Sequence, residues 1–213
     1  MKFIWIISNQ ILIVAYVKNM VHVLIIALFN LNRYNITIAK NLDYLNIPHT
    51  TIRYDKFGTI DFKDYTHIIL SGSDFFISKG EIVLTKEQVL QIIDSNKPVL
   101  AQCYAFHLLA YHLCGHDCIK KFKKRHNDRI KIKSPLVNKD KLYIVNHNNY
   151  VENLDNSWKI ISKKTILDDG SRKTFIMDAM MKNFPVLCLQ YHPEKSIQNY
   201  DFYENWINHA HEL

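Results

Sequence analysis

Across residues 98–110, P-V-L-A-Q-C-Y-A-F-H-L-L-A, the pattern changes from strand to helix around a single residue, Cys103. Residues 98–102 read as a short buried strand, and residues 106–113 as a helix that follows almost at once. Further strands and helices alternate on the N-terminal side of this segment. Such alternation argues for an α/β fold with a mainly parallel sheet.

The run V-H-V-L-I-I-A-L at 21–28 is close to continuously apolar, as in a strand buried on both faces of a sheet. A helix is expected over 30–45, where Ile38, Leu42 and Leu45 fall at helical spacing and Pro48 lies just beyond the end. Short strands are expected at 49–54 and 67–70, the second ending at Ser71-Gly72-Ser73. Residues 85–95 read as a helix capped by Thr85, with Val89, Leu90, Ile92 and Ile93 as its buried face. After Asp128 the alternation stops. Strands are expected at 129–132, 141–145, 158–162, 174–177 and 186–191, and a closing helix at 200–211. The expected architecture has three layers: a mainly parallel central sheet, flanking helices, and extra antiparallel strands in the C-terminal half.

A chain of 213 residues is long enough for one sizeable core and short for two ordinary domains. Residues 3–17 are apolar except for Ser8, Asn9 and Gln10, fewer than the roughly twenty apolar residues that span a bilayer. Residues 1–19 are therefore read as an extension ahead of a domain at 20–213, with no membrane partner. The formal net charge is +7, and Lys120, Lys121, Lys123, Lys124 and Arg125 concentrate part of it. No aromatic interleaving accompanies that run, so it reads as a solvated surface segment and not as a nucleic-acid site. The four cysteines, Cys103, Cys114, Cys118 and Cys188, lack the spacing of a disulfide framework and fit reduced thiols in the cytoplasm. His112, Cys114, His116 and Cys118 are residue types that bind zinc, but Gly115 places a helix end among them, and neither a metal nor a cofactor is expected.

Cys103 sits where a strand turns abruptly into a helix, a geometry that holds a side chain above the sheet. Helix N-termini favour the thiolate, the reactive form of a cysteine. A buried core cysteine is the plain alternative. The segment 186–194, V-L-C-L-Q-Y-H-P-E, weighs against it: His192 and Glu194, two residues apart on an extended chain, point to the same side and can act as a base and its orienter.

Together these segments resemble the signature of class I glutamine amidotransferases. The family's G-x-C-x-G appears as Ala101-Gln102-Cys103-Tyr104-Ala105, and its Q-x-H-P-E as Gln190-Tyr191-His192-Pro193-Glu194. Ile68-Ile69-Leu70-Ser71-Gly72-Ser73 is similar to the family's S-G-G-P turn, particularly that of the amidotransferase portion of GMP synthetase. The resemblance implies the flavodoxin-like fold of that family. It also implies a glutaminase reaction in which Cys103 attacks the substrate amide, His192 carries the proton, and Glu194 holds the imidazole. The oxyanion donors would be the backbone amides of Ser73 and Tyr104. Gly72, His107, Asn146 and His147 would contact glutamine, the last two through similarity of residues 143–151 to the family's S-H-x-x-x-V region, for which a polar turn after a strand is an equal reading.

The departures are Ala101 and Ala105 for two glycines, Ser73 for a glycine with no proline after it, and His107 where many members carry glutamine. No acceptor domain is recognisable in the sequence, so ammonia would pass to a separate synthetase subunit. Two alternatives stand beside this reading: hydrolysis of another γ-glutamyl compound, and a catalytically weak homologue acting as a binding or regulatory module.

Overall fold

The computed structural model describes residues 21–30, 34–132, 136, 141–195 and 199–210. The expected extension at 1–19 lies outside the described residues. The apolar run becomes β1 (Val23–Ala27), with all five residues buried. Leu24 and Ile26 enter one hydrophobic cluster, while Val23 and Ile25 enter another on the opposite face. Period-2 alternation between two cores leaves this strand no solvent face.

The remaining strands are β2 (His49–Arg53), β3 (His67–Leu70), β4 (Val99–Gln102), β5 (Ile119–Ile132), β6 (Lys141–Val151), β7 (Trp158–Asp168), β8 (Ser171–Met181) and β9 (Val186–Leu189). The helices are α1 (Tyr34–Tyr44), α2 (Lys86–Asp94), α3 (Tyr104–Cys114) and α4 (Tyr200–His209). Seven strands form one sheet in the order β2-β1-β3-β4-β9-β8-β7, and β5 pairs with β6 in a separate antiparallel hairpin. The first five strands of the large sheet are mutually parallel, while β8 and β7 run antiparallel at its edge.

Helices cover both faces. Val89, Ile92 and Ile93 of α2 and most of α3 pack on one cluster; Ile38 and Leu42 of α1 and Phe202, Tyr203 and Trp206 of α4 pack on the other. Each of these large side chains is worth about 1.5–3 kcal/mol when fully buried. Thr85 caps α2 as expected, in a reciprocal capping box with Gln88. Leu90 corrects the expected buried face, since it is 37% exposed on the outer side of α2.

The C-terminal strands are longer than their apolar residues suggest. The basic run at 120–125 belongs to β5, which begins ten residues before the strand expected at 129. Residues 146–151 belong to β6, so the polar turn considered for that stretch is replaced by a continuing strand. From Tyr143 to Asn149 the buried positions 143, 145, 147 and 149 alternate, with polar His147 and Asn149 as the last two, before Tyr150 and Val151 are buried together at the strand's end.

Candidate active site

Three neighbouring strands, β3, β4 and β9, end at the same edge of the sheet. Their carboxyl ends deliver Ser71-Gly72-Ser73, Cys103 and Gln190-Tyr191-His192 respectively. Parallel register makes this convergence unavoidable, and open α/β sheets hold their sites at this edge.

Cys103 closes β4 and precedes α3 with no intervening loop. Its backbone adopts φ 50° and ψ −105°, a strained conformation for a residue with a Cβ. Two bonds pin it there: its amide donates to Leu189 O at 2.6 Å, and its carbonyl accepts from His107 N at 3.2 Å. The elbow forms with alanines on both sides. Ala101 and Ala105 are fully buried, and their methyl groups join the core cluster under α3.

His192 follows β9 and is tied to the hairpin, its amide donating to Ile144 O at 2.9 Å. The expected extended geometry of 192–194 is corrected: Pro193–Lys195 forms one 3-10 turn. That turn still brings the pair together, with His192 Nδ1 donating to Glu194 Oε1 at 2.6 Å and both side chains essentially inaccessible. Burial opposes a charge on the imidazole. The carboxylate of Glu194 and the neighbouring Cys103 outweigh it and raise the His192 pKa to about 9. With Nδ1 engaged, Nε2 is the atom left for proton transfer, and it makes no other hydrogen bond among the described residues.

Gly72 packs against the imidazole of His192. A Cβ there would stand 3.2 Å from His192 Cε1 and 3.4 Å from Tyr34 Cδ1, so a larger residue would press on the ring unless it gave by a few tenths of an ångström. Tyr34 stacks on the same ring, with centroids 5.8 Å apart. Ser73 and Tyr104 flank Cys103 in one cavity. Neither of their amides donates to another group among the described residues. Each is fixed by its side chain: Ser73 Oγ accepts from Phe75 N at 3.0 Å, and Tyr104 OH donates to Glu81 O at 2.5 Å.

His107 lies in the cavity wall, with Nε2 donating to Gln190 Oε1 at 2.8 Å. Burial lowers its pKa to about 4, so the ring is neutral. Gln190 then presents its Nε2 to Cys103 Sγ at 3.7 Å. Asn146 and His147 line the same cavity, and Asn146 O lies 3.9 Å from Cys103 Sγ. His147 is held from both sides, by Asn149 O at 2.7 Å and His126 Nδ1 at 3.0 Å, and burial keeps it neutral. The cavity measures about 10 Å³, room for about one water. A wider groove of about 800 Å³, between Ile60, Phe62 and Gln91, is open to solvent and holds neither nucleophile nor base.

A family model described as glutamine amidotransferase class-I matches residues 28–207. The chain belongs to that family. Among solved structures, this amidotransferase domain is similar to a protein from Thermoplasma acidophilum described as a GMP synthase subunit, at 16% identity and TM-score 0.69 over 91% of this chain and 95% of that one. It is similar to PurLQS from Thermotoga maritima at 13% identity and TM-score 0.64, over 89% of this chain and 99% of that one. A glutamine amidotransferase from Thermotoga maritima matches at 14% identity and TM-score 0.59, over 91% and 84%. At such identities these likenesses establish the fold. Comparison with curated protein sequences gives no match.

Gln190 and Arg125 join the site although neither is singled out by the sequence. Gln190 stands inside the Q-x-H-P-E motif, and Arg125 closes the basic run that reads as a solvated segment. Of the four residues considered for zinc, His112 Nε2 bonds to Leu84 O and Cys118 Sγ to Gly115 O. No group of three or more His, Cys, Asp or Glu among the described residues is placed to hold a metal ion.

Proposed function

We propose that this amidotransferase domain hydrolyses the side-chain amide of glutamine through Cys103, His192 and Glu194, and supplies the ammonia to a separate synthetase subunit. The observation that carries this reading is the buried His192–Glu194 pair beside a cysteine on a strained elbow. A carboxylate that keeps an imidazole basic, with Nε2 free to exchange a proton, is what a thiol nucleophile requires.

With the proton of Cys103 held on His192 Nε2, the sulfur attacks the amide carbon. Negative charge develops on the carbonyl oxygen, where the Ser73 and Tyr104 amides serve as donors. His192 returns the proton to the amide nitrogen, the C–N bond breaks, and ammonia leaves a γ-glutamyl thioester on Cys103. Water then gives a proton to His192 and attacks the thioester. Glutamate is released, and the proton stays on His192 beside the freed sulfur, which restores the starting pair. Gln190, donating toward Sγ, stabilises the thiolate through both halves.

The reading of a separate acceptor is supported by the likeness to a protein described as one subunit of a GMP synthase. The test is release of ammonia and glutamate by the wild-type chain and by Cys103→Ala, alone and with a synthetase. Turnover dependent on Cys103 is expected; no release under any of these conditions removes the enzymatic reading in favour of a binding module.

A further inference from the structure

Of the side chains lining the cavity over Cys103, Arg125 alone carries a permanent charge. His107 and His147 stand in the same wall and are neutral because they are buried. The pairing of β5 with β6 shifts register between Lys121 and His126, and Arg125 falls within that irregularity. A bulge re-aims the side chains it carries. Here it turns one member of an otherwise solvated basic run toward the mouth of the site.

We propose that Arg125 receives the α-carboxylate of the substrate and so selects γ-glutamyl compounds with a free amino-acid head; this rests on the glutamine reading above. Three observations carry it. Asn146 connects Arg125 to the nucleophile: its backbone carbonyl lies 3.9 Å from Cys103 Sγ, and its side-chain Oδ1 accepts from Arg125 Nε. In glutamine, the α-carboxylate carbon is four C–C bonds from the reacting carbon, roughly 5 Å when extended, which matches the reach of that one residue.

The guanidinium also has capacity to spare. Arg125 Nη2 lies 3.8 Å from Asp74 Oδ1, longer than a hydrogen bond, while the side chain is 47% exposed. Arginine carries five N–H donors, of which one is engaged with Asn146. A carboxylate would take two of the five in a fork, Nε among them once Asn146 is released, the arrangement that guanidinium geometry favours.

The third observation is the size of the cavity. At about 10 Å³ it does not admit a glutamine side chain, so a lining group must move before substrate binds. Arg125 is a half-exposed group bonded across that wall to Asn146. Exchanging Asn146 for the substrate carboxylate both opens the cavity and fixes the head of the substrate.

The test is covalent labelling of Cys103 in the full chain, read by mass spectrometry, with two reagents: 6-diazo-5-oxo-L-norleucine, which keeps the amino-acid head, and iodoacetamide, which lacks it. Arg125→Ala is expected to raise the half-saturating concentration of the headed reagent about 10- to 100-fold, the range of a charge-assisted bond. Its limiting rate and the iodoacetamide reaction should not fall, and Arg125→Lys should recover part of the loss. Unchanged half-saturation in Arg125→Ala overturns the assignment and leaves the glutamine reading standing. If wild-type Cys103 reacts with iodoacetamide but not with the headed reagent, the glutamine reading fails, and the assignment with it.

Discussion

His107 Nε2 donates to Gln190 Oε1 at 2.8 Å, and this bond decides which end of the Gln190 amide faces the nucleophile. With Oε1 engaged, the amide nitrogen points to Cys103 Sγ, 3.7 Å away. His107 thus acts on the thiol through another residue. His107→Ala should leave a buried acceptor unpaired, at a cost of about 1–3 kcal/mol in stability. Loss of the oriented donor should lower kcat about tenfold with little change in the KM for glutamine. His107→Gln, which can still donate, should restore most of kcat. Steady-state kinetics of the two variants check this.

The buried histidines make stability depend on pH in both directions. Burial lowers His107 to about 4, whereas an unfolded histidine protonates near 6.5, so acidification between those values favours the unfolded chain. The loss from His107 alone is about 3 kcal/mol, and His147, lowered by the same cause, adds to it. His192 has the opposite sign. Burial acts against its charge, but Glu194 and Cys103 raise it to about 9, so its contribution is complete below the unfolded value and disappears as pH rises through 9. Denaturant unfolding across this range should therefore show a maximum near neutral pH. An acid limb that His107→Gln leaves unchanged would contradict the assignment of the acid loss to His107.

Gly72→Ala tests how closely the imidazole is held. The added Cβ would lie 3.2 Å from His192 Cε1, so the ring must shift by a few tenths of an ångström. A misplacement of 1 Å costs on the order of a hundredfold in rate, and this smaller shift should cost about tenfold in kcat. The shift should also weaken the Nδ1 bond to Glu194, visible as a lower His192 pKa by NMR titration. Activity and pKa both equal to wild type would show that the ring has room to spare.

The parts of the site that lie at strand ends are legible in the sequence because each is a contiguous stretch: residues 98–103 and 186–192 carry both the apolar strand and the polar residue at its end. The hairpin is harder to read. β5 has Phe122 as its sole buried apolar side chain between Ile119 and Ile130, and its irregular register breaks the alternation that marks a strand. In β6 the alternation holds from Tyr143 to Asn149, but His147 and Asn149 occupy buried positions usually held by apolar residues, so the stretch reads equally as a turn. Period-2 alternation continued from Tyr143 and Val145 reaches both. Leu90 illustrates the reverse case, an apolar residue one position off the buried stripe of α2. The roles of Gln190 and Arg125 depend on which of several polar partners each side chain meets, and spacing carries no such information.

A γ-glutamyl thioester on Cys103 is the central claim, and intact-protein mass spectrometry of acid-quenched samples taken during glutamine turnover addresses it directly. The expected result is an adduct of one γ-glutamyl group that maps to Cys103 and is absent, together with ammonia release, from Cys103→Ala. Ammonia release that persists in Cys103→Ala, or an adduct on Cys114, Cys118 or Cys188 instead, would contradict it.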